Sequence, residues 1–139
     1  VNHVLVDLNV VLDVLLERAP HAEASAALWG CVENQQVTGF LAAHHVTTLH
    51  YLVERARDRT TATACVAAVL TVFRVAPVDE LVLRHASALA WPDFEDAVAA
   101  AAAAATGCHA IVTRDTRGFR GARIPVLTPE EAVAGLQAR

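Results

Sequence analysis

Four aspartates carry the clearest chemical signal in this 139-residue chain. Asp7 closes the apolar run Val4-Leu5-Val6, and Asp115 follows the apolar pair Ile111-Val112. Asp93 and Asp96 open the alanine-rich stretch that leads into that second run. An acid at the end of a buried strand lies against a core and must find a partner. Carboxylates brought together raise one another's pKa unless cations stand between them. Hard divalent ions such as Mg2+ or Mn2+ favour such oxygen ligands, keep several waters and accept phosphate oxygens. The chemistry to expect is metal-assisted phosphodiester hydrolysis, in which the ion lowers the pKa of a water and stabilises the leaving oxygen. Each acid also has a plainer use. Asp93 after Pro92 suits a helix N-cap, Asp96 complements a helix dipole, and Asp115 suits a turn. Their joint arrival at one place is what makes a site.

That arrival depends on the elements between them. His3 to Val6 reads as a buried strand, and Asn9 is placed to cap a helix over Val10 to Glu17, before Pro20. A second helix runs from about His21 to Asn34, with Ala24, Ala27, Leu28, Cys31 and Val32 on one face. Val37 to Leu41 is strand-like; helices are expected over Ala43 to Arg57 and Thr60 to Phe73, then a short strand over Arg74 to Val78. Asp79 caps a helix reaching Leu89, and Trp91-Pro92-Asp93 turns into the helix containing Ala99 to Ala105, which Thr106-Gly107 stops. A buried strand over His109 to Thr113, a polar loop over Arg114 to Arg123, a last strand over Ile124 to Leu127 and a helix with Pro129 at its first position complete the order. Helices alternating with short apolar strands imply a single three-layer α/β/α domain over residues 1–139, with a mostly parallel central sheet of about five strands. In such sheets ligands bind beyond the carboxyl ends of the strands, where these acids fall.

Composition agrees with a packed domain and limits its partners. Hydrophobic residues are 55% and charged residues 19%, which argues against disorder, while only 5% aromatics leaves the core to Ala, Val and Leu. The net charge of −4 excludes a general basic nucleic-acid coat, so nucleic-acid contact needs a local patch. Arg114, Arg117, Arg120 and Arg123 supply one, and Arg114 and Arg117 are the candidates for holding RNA phosphates near the metal. Cys31, Cys65 and Cys108 form no closely spaced pair, so reduced thiols are expected rather than a zinc cluster. Val1-Asn2-His3 shows no basic leader and no apolar run reaches spanning length, so a cytoplasmic protein without a membrane segment is expected.

Four strings, in order, resemble the PIN domain family nearly end to end. Val4-Leu5-Val6-Asp7-Leu8-Asn9-Val10-Val11-Leu12-Asp13 is similar to its opening strand and helix, and Asp93-Phe94-Glu95-Asp96-Ala97 to its element ahead of the alanine-rich helix. Ile111-Val112-Thr113-Arg114-Asp115 with Gly118-Phe119, and the terminal Ile124-Pro125-Val126-Leu127-Thr128-Pro129-Glu130-Glu131, complete the resemblance. It implies a Mg2+- or Mn2+-dependent ribonuclease, in bacteria often the toxin of a VapBC-type toxin–antitoxin pair with a small antitoxin partner, and often a homodimer. Carried over, Asp7, Asp96 and Asp115 match the catalytic metal-binding acids, Asp93 assists near the metal, and Asn9 and Thr113 hold ligands or water by hydrogen bonds. The family's usual acid in the helix after the second strand is replaced by Thr48, and Glu54 lies too far along to point the same way. A catalytically weakened RNA- or protein-binding module is therefore the alternative.

Other residues are weighed against simpler roles. His44, His45 and His50 do not share a helical face, so no joint metal site is read from them, and Asp13 supports the site from behind or is a solvated helix acid. A receiver domain needs a Lys, and every basic residue here is Arg; a haloacid-dehalogenase-type phosphatase needs Asp where Asn9 stands.

Overall fold

The computed structural model describes residues 2–138, so Val1 and Arg139, the ends of the expected domain, lie outside the described residues. Five strands, β1 (His3–Val6), β2 (Thr38–Ala42), β3 (Arg74–Ala76), β4 (Ala110–Val112) and β5 (Val126–Leu127), form one sheet in the order β3-β2-β1-β4-β5. Every pairing is parallel, with Leu5 facing Phe40 on one side and Ile111 on the other. The chain builds outward from β1 through β2 to β3, then returns to add β4 and β5 on the opposite side. The β1–β4 junction is thus the point where strand order reverses, and a crevice opens there at the carboxyl ends.

Side-chain alternation along the strands divides the core in two. Val4, Val6, Leu41, Ala110 and Val112 face one layer with α1 (Leu8–Leu15), α2 (Ala22–Glu33), α3 (Ala43–Ala56), α4 (Arg59–Val72) and α7 (Pro129–Gln137). Leu5, Phe40, Ala42 and Ile111 face the other, covered by α5 (Glu80–Leu89) and α6 (Phe94–Thr106). In α6 the run Ala97 to Ala103 is buried, and small side chains let this helix lie across β1, β2, β3 and β4. Its first turn is thereby delivered to the sheet's carboxyl edge, while Gly107 in the left-handed conformation (φ 78°) ends it. At α7, Pro129 follows the Thr128 N-cap, and Thr128 and Glu131 form a reciprocal capping box.

Several boundaries differ from the sequence reading for local reasons. The N-cap of α1 is Asp7, not Asn9, which lies inside the helix. On α2 the buried face is Ser25, Leu28, Cys31 and Val32, whereas Ala27 is exposed. The segment Arg114 to Arg123 contains a 3₁₀ turn, Thr116–Phe119, because Phe119 (1% exposed) turns inward against Trp91, with ring centroids 6.1 Å apart. All three cysteines are free thiols. No helix among the described residues is long and apolar enough to cross a membrane.

Candidate active site

One hydroxyl organises the crevice between β1 and β4. Thr113, fully buried just past β4, donates from Oγ1 to Asp7 Oδ2 at 2.8 Å. The same oxygen accepts the Asp115 N–H at 3.1 Å and the Asn9 Nδ2 group at 3.4 Å. Asp7 Oδ1 accepts the Leu8 N–H at 2.8 Å, and the Asp7 N–H donates to the Val112 carbonyl at 2.8 Å. The end of β1, the start of α1 and the loop carrying Asp115 are therefore joined through a single side chain. A valine at 113 would keep the shape and lose all three contacts.

The remaining acids come from the first turn of α6. Asp93 is its N-cap, with Oδ1 accepting the Asp96 N–H at 3.1 Å. Partial burial, then the charges of Asp7, Asp93, Asp115 and Glu95, push the Asp96 carboxyl up to about 7. Burial also raises Asp7 above its ordinary value, opposed by the Thr113 and Leu8 hydrogen bonds and reinforced by Asp93 and Asp115. The charges of Asp93 and Asp115 thus act on both Asp7 and Asp96, and like charges there raise those two carboxyls. Gly118 leaves room for this arrangement: a Cβ there would stand 2.8 Å from Asp96 Oδ2. Gly118→Ala is expected to displace that carboxylate. Because Asp96 can rotate away, stability should change by less than about 1 kcal/mol, and divalent-ion affinity should fall; calorimetric titration and urea unfolding of one preparation check both.

Does this donor set suit a divalent ion? Among the described residues no three His, Cys, Asp or Glu side chains already stand at the spacing of a closed metal shell. The chemistry nevertheless fits. Asp7, Asp93 and Asp115 crowd their charge onto Asp96, and Asn9 Oδ1 is a buried acceptor without a hydrogen-bond partner among the described residues. A hard cation offsets the first and a water on that cation satisfies the second.

Other expected residues land less simply. Asp13, 0% exposed, accepts Arg18 Nε on Oδ1 at 2.9 Å and Arg114 Nε on Oδ2 at 2.8 Å. It is a buried anchor, not a solvated helix acid, and Arg114 has its Nε on that carboxylate rather than free for phosphate. Arg117 is exposed on the 3₁₀ turn. Thr48 donates to the His44 carbonyl at 3.1 Å, while Glu54 stands 3.9 Å from His50 on its own helix, so neither joins the cluster.

One residue at this edge that the sequence gives no metal role, and one it does not single out, stand beside the acids. His45, in the first turn of α3, is 3% exposed with Nδ1 4.0 Å from Asp7 Oδ1. Burial, then the neighbouring His44, lowers its pKa to about 3, so the imidazole is neutral and the contact is no ion pair. Its place directly after a strand that neighbours β1 was the available signal. Phe94 is 52% exposed between Asp93 and Glu95, an apolar ring at the rim of an acidic crevice. Its position inside the acid motif could have marked it.

With this geometry in hand, the PIN domain family model matches residues 3–117, and the chain belongs to that family. Among solved structures it is similar to VapBC from Salmonella typhimurium bound to DNA (TM-score 0.72, 15% identity, 93% of this chain and 99% of that chain). It is also similar to VapBC2 from Rickettsia felis bound to a DNA fragment from its promoter (0.70, 12%, 91% and 98%). A third is VapC20 from Mycobacterium tuberculosis, a sarcin–ricin loop cleaving toxin (0.70, 18%, 84% and 93%). At these identities the likeness is one of fold. No curated protein matches the chain.

Proposed function

We propose that this PIN domain is a divalent-metal-dependent endoribonuclease and the toxin of a toxin–antitoxin pair. The observation that carries the reading is the meeting of Asp7 and Asp115 through Thr113 at the reversal of strand order, with both of their charges acting on Asp96. Asp7, Asp96 and Asp115 would hold Mg2+ or Mn2+, with Asp93 assisting. The ion, when bound, supplies an activated water and stabilises charge on the leaving oxygen. Thr113 fixes the rotamer of Asp7 and the path of the chain into Asp115; Asn9 steadies that hydroxyl. Arg117, and the terminal nitrogens of Arg114, are assigned to the RNA phosphates. The fold likeness to a sarcin–ricin loop cleaving toxin supports RNA as substrate. Likeness to the two VapBC structures supports a small antitoxin partner. The reading also includes a cytoplasmic homodimer, for which exposed Leu81 and Leu83 on α5 offer apolar surface.

Purified protein with Mg2+ or Mn2+ is expected to cut structured RNA, and Asp7→Asn or Asp96→Asn to end the cutting. Cleavage that survives both changes, or runs at full rate in chelator, rejects the mechanism. One observation favours a second reading, a PIN-fold binding module: the Thr48 hydroxyl bonds its own helix backbone and α3 brings no carboxylate to the cluster. Calorimetry separates the two, because the module shows no ion binding tighter than millimolar.

The raised Asp96 value sets a pH dependence. Its folded value of about 7 exceeds the ordinary 3.8, so the folded chain holds this proton longer than the unfolded chain. In chelator, the stability from Asp96 is fully present below 3.8, is lost as pH rises towards about 7, and does not fall further beyond it. An incoming ion must displace that proton at low pH. Apparent affinity should fall about tenfold per pH unit below 7 and level above it, read as proton release in titrations across buffers of different ionisation enthalpy. A pH-independent affinity from 5.5 to 8 contradicts the shift.

A further inference from the structure

His45 belongs to the crevice, yet the carboxylates alone give it nothing to do. His45 is 3% exposed, and its Nδ1 has no hydrogen-bond partner among the described residues. Buried ring nitrogens are seldom left unpaired, because the lost hydration is not recovered. This nitrogen faces the site, 4.0 Å from Asp7 Oδ1.

The ring is also held in place. His44 stacks on it with centroids 4.2 Å apart and a 35° tilt, and His44 Nε2 lies 3.1 Å from the carbonyl oxygen of Glu95, the residue before Asp96. The histidine pair therefore ties the start of α3 to the start of α6, fixing His45 relative to two of the acids. Two donors of one six-coordinate ion stand about 3.0 Å apart when adjacent and about 4.2 Å apart when opposite, for metal–donor bonds near 2.1 Å. The Nδ1–Oδ1 separation of 4.0 Å is nearer that of opposite donors. On α3 the side chains that might have supplied oxygen are engaged elsewhere, Thr48 with the His44 carbonyl and Glu54 with His50.

We propose that His45 Nδ1 is a nitrogen ligand of the divalent-ion site, giving it a mixed imidazole–carboxylate donor set. The proposal rests on the ion-binding reading above and narrows it. Imidazole suits first-row transition ions such as Fe2+, Ni2+ or Zn2+, whereas Mg2+ takes oxygen almost alone, so the site favours a transition ion over Mg2+, and Mn2+ serves as its paramagnetic probe.

The test uses the full chain loaded with Mn2+ and pulsed electron paramagnetic resonance. Wild-type protein should show ¹⁴N modulation that changes to the ¹⁵N pattern when histidine alone is ¹⁵N-labelled. His45→Gln should lose the nitrogen coupling, and Mn2+ affinity should fall by on the order of ten- to a hundredfold. His50→Gln, on the same helix but beside Glu54, should keep both. If His45→Gln does not fold, His45→Asn takes its place, and the same loss of nitrogen coupling is required of it. Tight Mn2+ binding without histidine-nitrogen coupling overturns the proposal and leaves the carboxylate site standing, as does coupling that persists in His45→Gln. Failure of Mn2+ to bind the wild-type chain overturns both readings together.

Discussion

Asp96→Asn is expected to remove RNA cleavage and, in the same molecule, to raise the melting temperature measured in chelator at pH 8. The two effects have opposite signs and one cause. Asparagine keeps the volume and the helix start but carries no charge, so an anionic ion ligand is lost and one member of a repelling cluster is removed. The loss of rate should be on the order of a thousandfold, about 4 kcal/mol of barrier. The gain in metal-free stability should be about 1 kcal/mol after allowing for the part of Asp96 that solvent reaches, or several degrees in Tm. Its pH dependence follows from the folded carboxyl value of about 7 against an ordinary 3.8. At pH 8 the wild-type carboxylate is ionised and the substitution relieves it; near pH 4 wild type already holds the proton when folded, and the gain disappears. Scanning calorimetry in chelator at the two pH values, beside an RNA cleavage assay, measures both. A variant that is less stable at pH 8, or that keeps activity within about tenfold, contradicts the charge cluster.

Removing both arginines from Asp13 should destabilise the fold by about 3–5 kcal/mol, more than the sum of the single changes. The carboxylate is fully buried and divides its oxygens between Arg18 Nε at 2.9 Å and Arg114 Nε at 2.8 Å. Arg18→Ala or Arg114→Ala alone leaves one guanidinium in place. The double variant leaves a bare buried charge, and adding Asp13→Asn should restore much of the loss by removing that charge. Arg114 immediately precedes Asp115, so Arg114→Ala should also lower ion affinity, whereas Arg18→Ala, at the far end of α1, should do so less. Urea unfolding of the singles, the double and the triple gives the coupling. Strictly additive losses below about 1 kcal/mol would show that the pair behaves like a surface ion pair.

The sequence and the fold agree where the signal is local and repeated. Apolar runs of strand length alternating with helical periods specify the parallel sheet, and an aspartate at the end of Val4-Leu5-Val6 specifies which edge to inspect. Residues whose meaning depends on a neighbour distant in sequence were not legible. His45 was weighed against His44 and His50 on its own helix, but its neighbour is Asp7, across the β1–β2 pairing. Phe119 has no period to announce it within a polar stretch, and only contact with Trp91 shows that it pins the Asp115 loop. Asp7 and Asn9 both suit a helix start by residue type; Asp7 takes the cap by accepting the Leu8 N–H, and Asn9, inside the helix, donates to Thr113 instead. Arg114 read as a phosphate ligand because its anchor, Asp13, belongs to a helix at the other end of the chain.

Anomalous diffraction from a Mn2+-loaded crystal is the most direct measurement. A peak about 2.0 to 2.3 Å from carboxylate oxygens of Asp7, Asp96 and Asp115 is the expected result. Full Mn2+-dependent RNA cleavage in solution, with the ion bound elsewhere in the crystal and those three carboxylates left without it, would contradict the account.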